Sequence, residues 1–106
     1  MIFENKNSVM ISGYIMETPE IKKDKNGKSY CFFDIKSQRV DLKVGVDYEF
    51  FDIRFYEDTV AELEQTKACA GWGIYIKGIW RRVKNENKRY DYIKVKEFKL
   101  FPPEKK

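Results

Sequence analysis

Alternation of apolar and polar residues along most of the chain is the feature that most restricts how it can fold. Near the beginning, Val9, Ile11 and Ile15 fall on one side of an extended segment, and Gly13 occupies the same side. A period of two indicates a strand, because successive strand side chains point to opposite faces of a sheet. A glycine on the inward side allows a sharp bend, because no side chain crowds the interior there. The segment therefore predicts the first strand of a strongly curved sheet.

Two more strand segments follow a turn. The dipeptide Asn26-Gly27 predicts a tight turn, and the residues after it place Cys31, Phe33 and Ile35 on one face. Residues 40–56 indicate a long strand system with a turn at Gly45. Its apolar side should belong to the core and consists of Val40, Leu42, Val44, Val46, Phe51, Ile53 and Phe55.

The period changes after the third strand. Thr59-Val60-Ala61-Glu62 has the S/T-x-x-E form of a capping box and predicts a short helix. Alternation returns in residues 74–80 and 90–98, which predict two final strands joined by a hairpin loop at 85–88. The first of these strands again carries a glycine at the inward phase. Trp80 shares that phase, which indicates a place in the core rather than a stacking surface.

Five strands with a helix between the third and the fourth predict an all-β fold, a five-stranded OB-fold Greek-key barrel. A chain of 106 residues has room for one hydrophobic core. We expect one OB-fold domain over residues 1–98, followed by a short and loosely held C-terminal tail over residues 99–106.

Composition restricts the chemistry of the protein. Histidine is absent, which removes the commonest general base and the commonest metal ligand. No Gly-rich phosphate loop and no nucleophile elbow occurs in the sequence. Cys31 and Cys69 lack C-x-x-C spacing, so we expect reduced thiols rather than a disulfide or a metal site. These observations predict a protein that is not an enzyme and needs no cofactor or metal.

The sequence has no membrane-targeting pattern. Residues 1–8 carry charged side chains before any apolar run, so no signal peptide is expected. No segment approaches the roughly 20 apolar residues that cross a bilayer. We therefore expect a cytoplasmic protein without a membrane partner.

Positive charge is concentrated in one stretch. The formal net charge is +4, but residues 76–96 hold eight Lys or Arg against two carboxylates, which makes this stretch +6 and the remainder −2. A basic surface attracts a polyanion at long range. A solvated strand surface would give the same composition, and this alternative stays open.

Six fragments of the chain match, in order, the pattern of a known family. Residues 7–15 are similar to its opening N-x-V-x-L-x-G-x-L, residues 49–53 to its E-W-h-r-V strand, and residues 73–78 to its G-x-x-V-Y-V-E-G. Shorter matches, including the family's G and F after its P-E, are Pro19-Glu20, Gly27, Phe33, Val60-Ala61-Glu62 and Arg89-Tyr90. Over residues 7–98 the chain thus resembles the bacterial and phage single-stranded DNA-binding protein (SSB) family. The resemblance implies an OB fold that binds single-stranded DNA.

The resemblance also implies particular contacts. Members of this family stack bases on outer aromatic side chains, and by position their third-strand tryptophan corresponds to Phe50 and a later aromatic to Tyr56. Two further family tryptophans have no counterpart, because the equivalent positions lie near Val40 and Asn85. The family pairs through barrel edges, which implies a homo-oligomer, either a dimer or a tetramer. Its acidic C-terminal tail is missing here, which would suit a phage, plasmid or mobile-element relative or a primosome subunit.

Rings and cations alternate on the outward side of the predicted strands. A single strand needs flat π surfaces for its bases and cations along its phosphates. The residues expected to bind nucleic acid are therefore Tyr30, Phe32, Lys36, Phe50, Arg54, Tyr56, Lys77, Arg81, Arg82, Tyr92 and Lys94. Tyr75, Tyr90 and Lys96 share the same outward phase. A subunit contact is an open alternative for Tyr75 and Tyr90, as is burial under a loop for Phe32.

Three functions remain open at this level. The first is binding of single-stranded DNA in replication, recombination or repair. The second is an OB-fold adaptor whose aromatic residues are covered by replication or recombination proteins. The third is an RNA-binding module, since OB barrels bind both nucleic acids.

Overall fold

Long strands make up most of the protein. The structure, a computed structural model, describes residues 8–41 and 45–103, and for residues 39–41 and 45–47 it describes the backbone alone. The elements are β1 (Ser8–Ile15), β2 (Lys22–Lys23), β3 (Ser29–Asp41), β4 (Gly45–Tyr56), α1 (Asp58–Glu64), β5 (Gly73–Asn85) and β6 (Lys88–Phe101). The predicted inward phase of Val40, Leu42, Val44 and Val46 lies outside the described side chains.

The strands form one closed sheet. Their order is β1-β5-β6-β4-β3-β2, and an additional pairing of β1 with β3 closes it. All neighbours are antiparallel except β4 and β6, whose parallel ladder joins Ile53 to Ile93 and Arg54 to Lys94. The described residues contain five long strands and a single short helix, which lies between β4 and β5, the third and fourth of the long strands. This confirms the mostly β expectation. The two-residue β2 was not predicted, because its polar segment shows no alternation.

The core fills the inside of this closed sheet. The predicted inward faces of β3 and β4 are confirmed by four fully buried residues, Cys31, Ile35, Ile53 and Phe55. Phe51, which was also predicted to be core, packs against the core but is only partly buried. Burial raises the pKa of the Cys31 thiol to about 11, and both cysteines are free. The α1 side of the core is completed by Val60 and Leu63. The core prediction for Trp80 is wrong, because its side chain is 44% exposed.

Two inward glycines allow neighbouring strands to approach closely. A Cβ atom at Gly13 would lie 2.6 Å from the carbonyl oxygen of Lys36, where β1 meets β3. A Cβ atom at Gly78 would overlap the carbonyl oxygen of Lys94, next to a register shift in the β5–β6 ladder. Only glycine fits where a backbone passes this close. Both positions therefore support the predicted bending.

The ends of three elements differ from their predicted positions. Helix α1 begins at Asp58, and its N-cap residue Glu57 makes no side-chain capping bond, so the predicted capping box is wrong. The Thr59 hydroxyl instead accepts from the Tyr56 amide at 3.2 Å and donates to the Tyr56 carbonyl at 2.8 Å. Strand β5 continues to Asn85 and β6 to Phe101. Phe101 pairs with Gly73, so the sheet includes residues that were expected to be loosely held.

Candidate nucleic-acid interface

Strands β3, β4 and β6 present aromatic and charged side chains on one outer face. The β3–β4 register places Tyr30 opposite Tyr56 and Phe32 opposite Arg54. The parallel ladder then places Arg54 beside Lys94. Alternation sends these side chains outward while the residues between them enter the core. Residues from three separate stretches of sequence thus meet on one surface.

A guanidinium group lies at the centre of this face. The Cζ atom of Arg54 is 4.2 Å from the ring centroid of Tyr92, 4.5 Å from that of Phe32 and 5.4 Å from that of Tyr90. A cation within about 6 Å of a ring face is attracted to the ring's electrons. The Phe32 centroid is in turn 4.9 Å from that of Tyr30 and 5.4 Å from that of Tyr56. We call this group the Arg54 cluster: Tyr30, Phe32, Arg54, Tyr56, Tyr90 and Tyr92.

Asp52 fixes the orientation of that guanidinium. The Nε and Nη2 atoms of Arg54 donate to the two carboxylate oxygens of Asp52 at 3.3 and 3.1 Å. Partial burial lowers the pKa of Arg54, but hydrogen bonds to Asp52 and Tyr56 outweigh burial and leave that pKa above its ordinary value. Burial likewise raises the pKa of Tyr56. With a side chain only 19% exposed, Arg54 is held among the rings as a permanent cation.

A cleft beside the Arg54 cluster is lined by more basic than acidic side chains, and we call it the basic cleft. It has a volume of about 470 Å³, and Tyr56 and Tyr92 line it together with the beginning of α1. Its charged side chains are three cations, Arg81, Lys94 and Lys96, and two carboxylates, Glu57 and Asp58. The Nζ atom of Lys94 lies 5.8 Å from the Tyr56 ring centroid, and Arg81 is opposite Tyr92 in the β5–β6 ladder. The three cations outnumber the two carboxylates, so an anion next to the two rings would be attracted to the Arg81, Lys94 and Lys96 side of the cleft.

A second group of two rings and a cation lies nearer the end of β3 and the start of β4 than the Arg54 cluster does. Lys36 is opposite Phe50 in the ladder, and its Nζ atom is 3.9 Å from the ring centroid of Tyr48. Phe50 is 61% exposed. Tyr56 lies six positions after Phe50, which is roughly 20 Å along a strand. The ring surfaces are therefore spread along a path rather than gathered in one pocket.

Two carboxylates lie between these groups. Asp34 is opposite Asp52 in the β3–β4 ladder. Partial burial raises the pKa of Asp34, and the negative charges of Asp52 and Glu17 raise it further. Asp52 is neutralised by Arg54, whereas Asp34 adds a net negative charge at the middle of the face.

Other predicted site residues lie away from the Arg54 cluster. Lys77 is paired in register with Met10 and Glu97 and lines neither the basic cleft nor the groove described next. Arg82 points to the opposite side from Arg81, and its Nε atom donates to Asp91 at 3.0 Å. Phe32 is 40% exposed, so the alternative of burial under a loop is wrong.

A more apolar opening lies where β4 and β6 separate. The two strands pair only at the two positions of their ladder, and before those positions a groove of about 350 Å³ opens between them. We call it the open groove. It is lined by Val9, Met10, Ile11, Phe50, Phe51, Trp80, Tyr92 and Ile93, together with Asp52 and Asp91. Sequence reasoning missed Trp80, although the Arg81-Arg82 pair directly after it signals a strand leaving the core.

Among residues 8–41 and 45–103, no group of three or more Cys, Asp or Glu side chains is arranged to hold a metal ion. The one helix within these ranges is too short to cross a bilayer.

Comparison with known proteins gives a match at the level of structure. No family model and no curated protein matches the sequence. The chain is similar to a solved structure of a Plasmodium falciparum SSB in complex with single-stranded DNA, with a TM-score of 0.72 and 18% identity. The match covers 98% of this chain and 100% of the other. The two chains therefore share a fold, which supports the predicted SSB-like OB fold but does not extend to a bacterial or phage origin.

Proposed function

We propose that this protein binds single-stranded DNA without catalysing a reaction, in replication, recombination or repair. The observation that carries the proposal is the Arg54 cluster, in which rings from three strands share one face with the basic cleft. The shared fold with an SSB that was solved with single-stranded DNA supports it. We also infer that the closed sheet is a Greek-key barrel of the OB type.

The chemistry of the face suits an unpaired strand. Stacking on an aromatic ring contributes about 1–3 kcal/mol per base and does not depend on which base it is. Arg81, Lys94 and Lys96 offer cations to phosphates along the basic cleft. Asp34 repels phosphate, so the backbone would pass beside the basic cleft while the bases turn toward the rings. A duplex keeps its ring faces stacked inside and gains nothing from this arrangement.

Titration with oligo-dT at several salt concentrations tests the proposal. The logarithm of affinity should fall with the logarithm of salt concentration, by about 0.7 for each phosphate neutralised. Tyr92→Ala and Phe50→Ala should each weaken binding roughly fivefold or more, because one stacking surface is lost. Tyr14→Ala is the matched control, since Tyr14 is 55% exposed on β1 and belongs to neither ring group. Equal affinities for all three variants and the unaltered protein would contradict the proposal.

Competition experiments separate the remaining alternatives. Oligo-U that displaces oligo-dT at equal concentration would indicate an RNA-binding module. Weak binding to both, together with a partner protein that protects Phe50 and Tyr92 from solvent, would indicate an adaptor for replication or recombination proteins. We propose a homo-oligomer, whose mass in sedimentation should exceed that of one 12.7 kDa chain.

A further inference from the structure

Trp80 is a large apolar side chain that the core does not use. It lies opposite Ile93 in the β5–β6 ladder, and Ile93 is buried whereas Trp80 is 44% exposed. At this level β4 no longer pairs with β6, so within residues 8–41 and 45–103 no opposite strand covers the indole. An exposed apolar surface of this kind commonly marks an interaction site.

The open groove places this indole near other ring surfaces. Phe50 and Tyr92 line the same groove, and Tyr92 also belongs to the Arg54 cluster through its contact with Arg54. The groove therefore continues the candidate interface instead of forming a separate site. Its volume of about 350 Å³ lies at the small end of the range for ligand pockets.

The two carboxylates of the groove do not make it repel an anion. Asp52 is paired with Arg54 at 3.1 Å, and Asp91 is paired with Arg82 at 3.0 Å. Each carboxylate is thus matched by one guanidinium. The groove is apolar and charge-balanced.

We propose that the open groove is an additional binding site for an unpaired nucleobase, with Trp80 as its stacking surface. This inference rests on the proposed function, because the base would belong to the strand that crosses the Arg54 cluster. Continuity and net charge favour this occupant over a second copy of the chain. Tyr92 belongs to both the groove and the Arg54 cluster, so a strand bound at the cluster reaches the groove. A second copy would bring another +4 chain to a +4 chain, whereas a polynucleotide brings negative charge.

Fluorescence of the two tryptophans tests the proposal. Trp72→Phe leaves Trp80 as the only indole, and Trp80→Phe leaves only Trp72, which is partly buried against the core outside the groove. Oligo-dT of about 12 nucleotides, within the range for one OB fold, should quench the emission of the Trp72→Phe protein. It should leave the emission of the Trp80→Phe protein almost unchanged.

Affinity gives a second readout. Trp80→Ala should weaken oligo-dT binding by about fivefold to 100-fold, whereas Trp80→Phe should retain most of the affinity because a ring remains. Tight binding without quenching of Trp80, and with equal affinity in Trp80→Ala, would overturn the groove as a base site and leave the proposed function intact. Absence of binding by the unaltered protein would overturn the proposed function itself. A Trp80→Ala protein of lower mass in sedimentation with unchanged affinity would assign the groove to a second copy, against this inference.

Discussion

The Arg54 cluster and the open groove lie side by side on one surface but hold their rings differently. In the cluster each ring touches another ring or the guanidinium, and Arg54 is mostly covered. In the open groove Phe50 and Trp80 are exposed, and the structure gives no ring contact between them among the described residues. The first region is packed before any ligand arrives, and the second has bare apolar surface.

The difference teaches how one sheet can offer two kinds of recognition. Rings already held in position lose little conformational freedom on binding, which favours affinity. Exposed rings bury more apolar surface when a ligand covers them, and each Å² buried contributes about 25 cal/mol of binding free energy. We therefore expect substitutions in the cluster to lower both stability and affinity, and substitutions of Phe50 or Trp80, which belong to the groove alone, to lower only affinity.

The largest loss of stability is expected from a substitution at Gly78. Gly78→Ala places a Cβ atom against the carbonyl oxygen of Lys94, so β5 and β6 must move apart beneath the Arg54 cluster. The free energy of unfolding should fall by about 3 kcal/mol, measured by urea denaturation. Gly73→Ala is the control, because its Cβ atom would meet the Phe101 Cβ at an ordinary 3.4 Å. Equal stabilities of the two variants would show that the cluster does not depend on this close approach.

Removal of the Arg54 guanidinium should lower stability more than a substitution in the open groove does. Arg54→Met leaves the Asp52 carboxylate without its bidentate partner and should lower the free energy of unfolding by about 1–3 kcal/mol. Phe50→Ala, in the open groove, should change it by less than about 0.5 kcal/mol. Chemical denaturation of both variants measures the contrast. A Phe50→Ala protein as unstable as Arg54→Met would erase the distinction.

A smaller effect is expected where helix α1 joins the cluster. Thr59→Ala removes the hydroxyl that accepts from the Tyr56 amide and donates to the Tyr56 carbonyl. Stability should fall by about 0.5–1 kcal/mol, as for a lost helix cap, and thermal unfolding measures it. Thr59→Ser keeps the hydroxyl and should restore the loss; failure to restore it would assign the effect to the missing methyl group.

The smallest effect concerns pH and the carboxylates between the ring groups. Because the pKa of Asp34 is raised in the folded protein, its carboxylate loses its negative charge as the pH falls through that raised pKa. DNA affinity should then increase about twofold to threefold, the scale of one surface charge. The same shift means that the protonated form is favoured by folding, so the Asp34 contribution to stability declines as the pH rises through its pKa. Asp34→Asn should bind like the low-pH protein at neutral pH; a variant with an unaltered pH profile would exclude Asp34.

The fold could be predicted because alternation and turn residues recur along the chain. Cys31, Ile35, Ile53 and Phe55 all occupy the inward phase that their spacing indicates. Alternation says which side of a strand a residue faces, but not how far the opposite wall extends. That is why Trp80 was assigned to the core and is exposed instead. The start of α1 was also misplaced, because the S/T-x-x-E pattern does not reveal that Thr59 would bond to Tyr56.

The candidate site could be predicted only in its residue types. The outward phase identified Phe32, Arg54 and Tyr92 as members of one surface. Their arrangement depends on the β3–β4 register and on the parallel β4–β6 ladder, which join residues distant in sequence. No local pattern indicates that Asp52 would hold Arg54 among rings, and the binding role of each residue stays a prediction.

The closed sheet consists of two halves that meet at two narrow seams. One half contains β1, β5 and β6 and the other β3 and β4; each seam, β4–β6 and β1–β3, has two registered pairs. Amides at these seams should exchange with solvent sooner than those in the middle of the long antiparallel ladders. The Arg54 cluster bridges the first seam, since Arg54 comes from one half and Tyr92 from the other. A polynucleotide bound across this seam would contact both halves of the sheet, and it should therefore slow amide exchange at the β4–β6 seam.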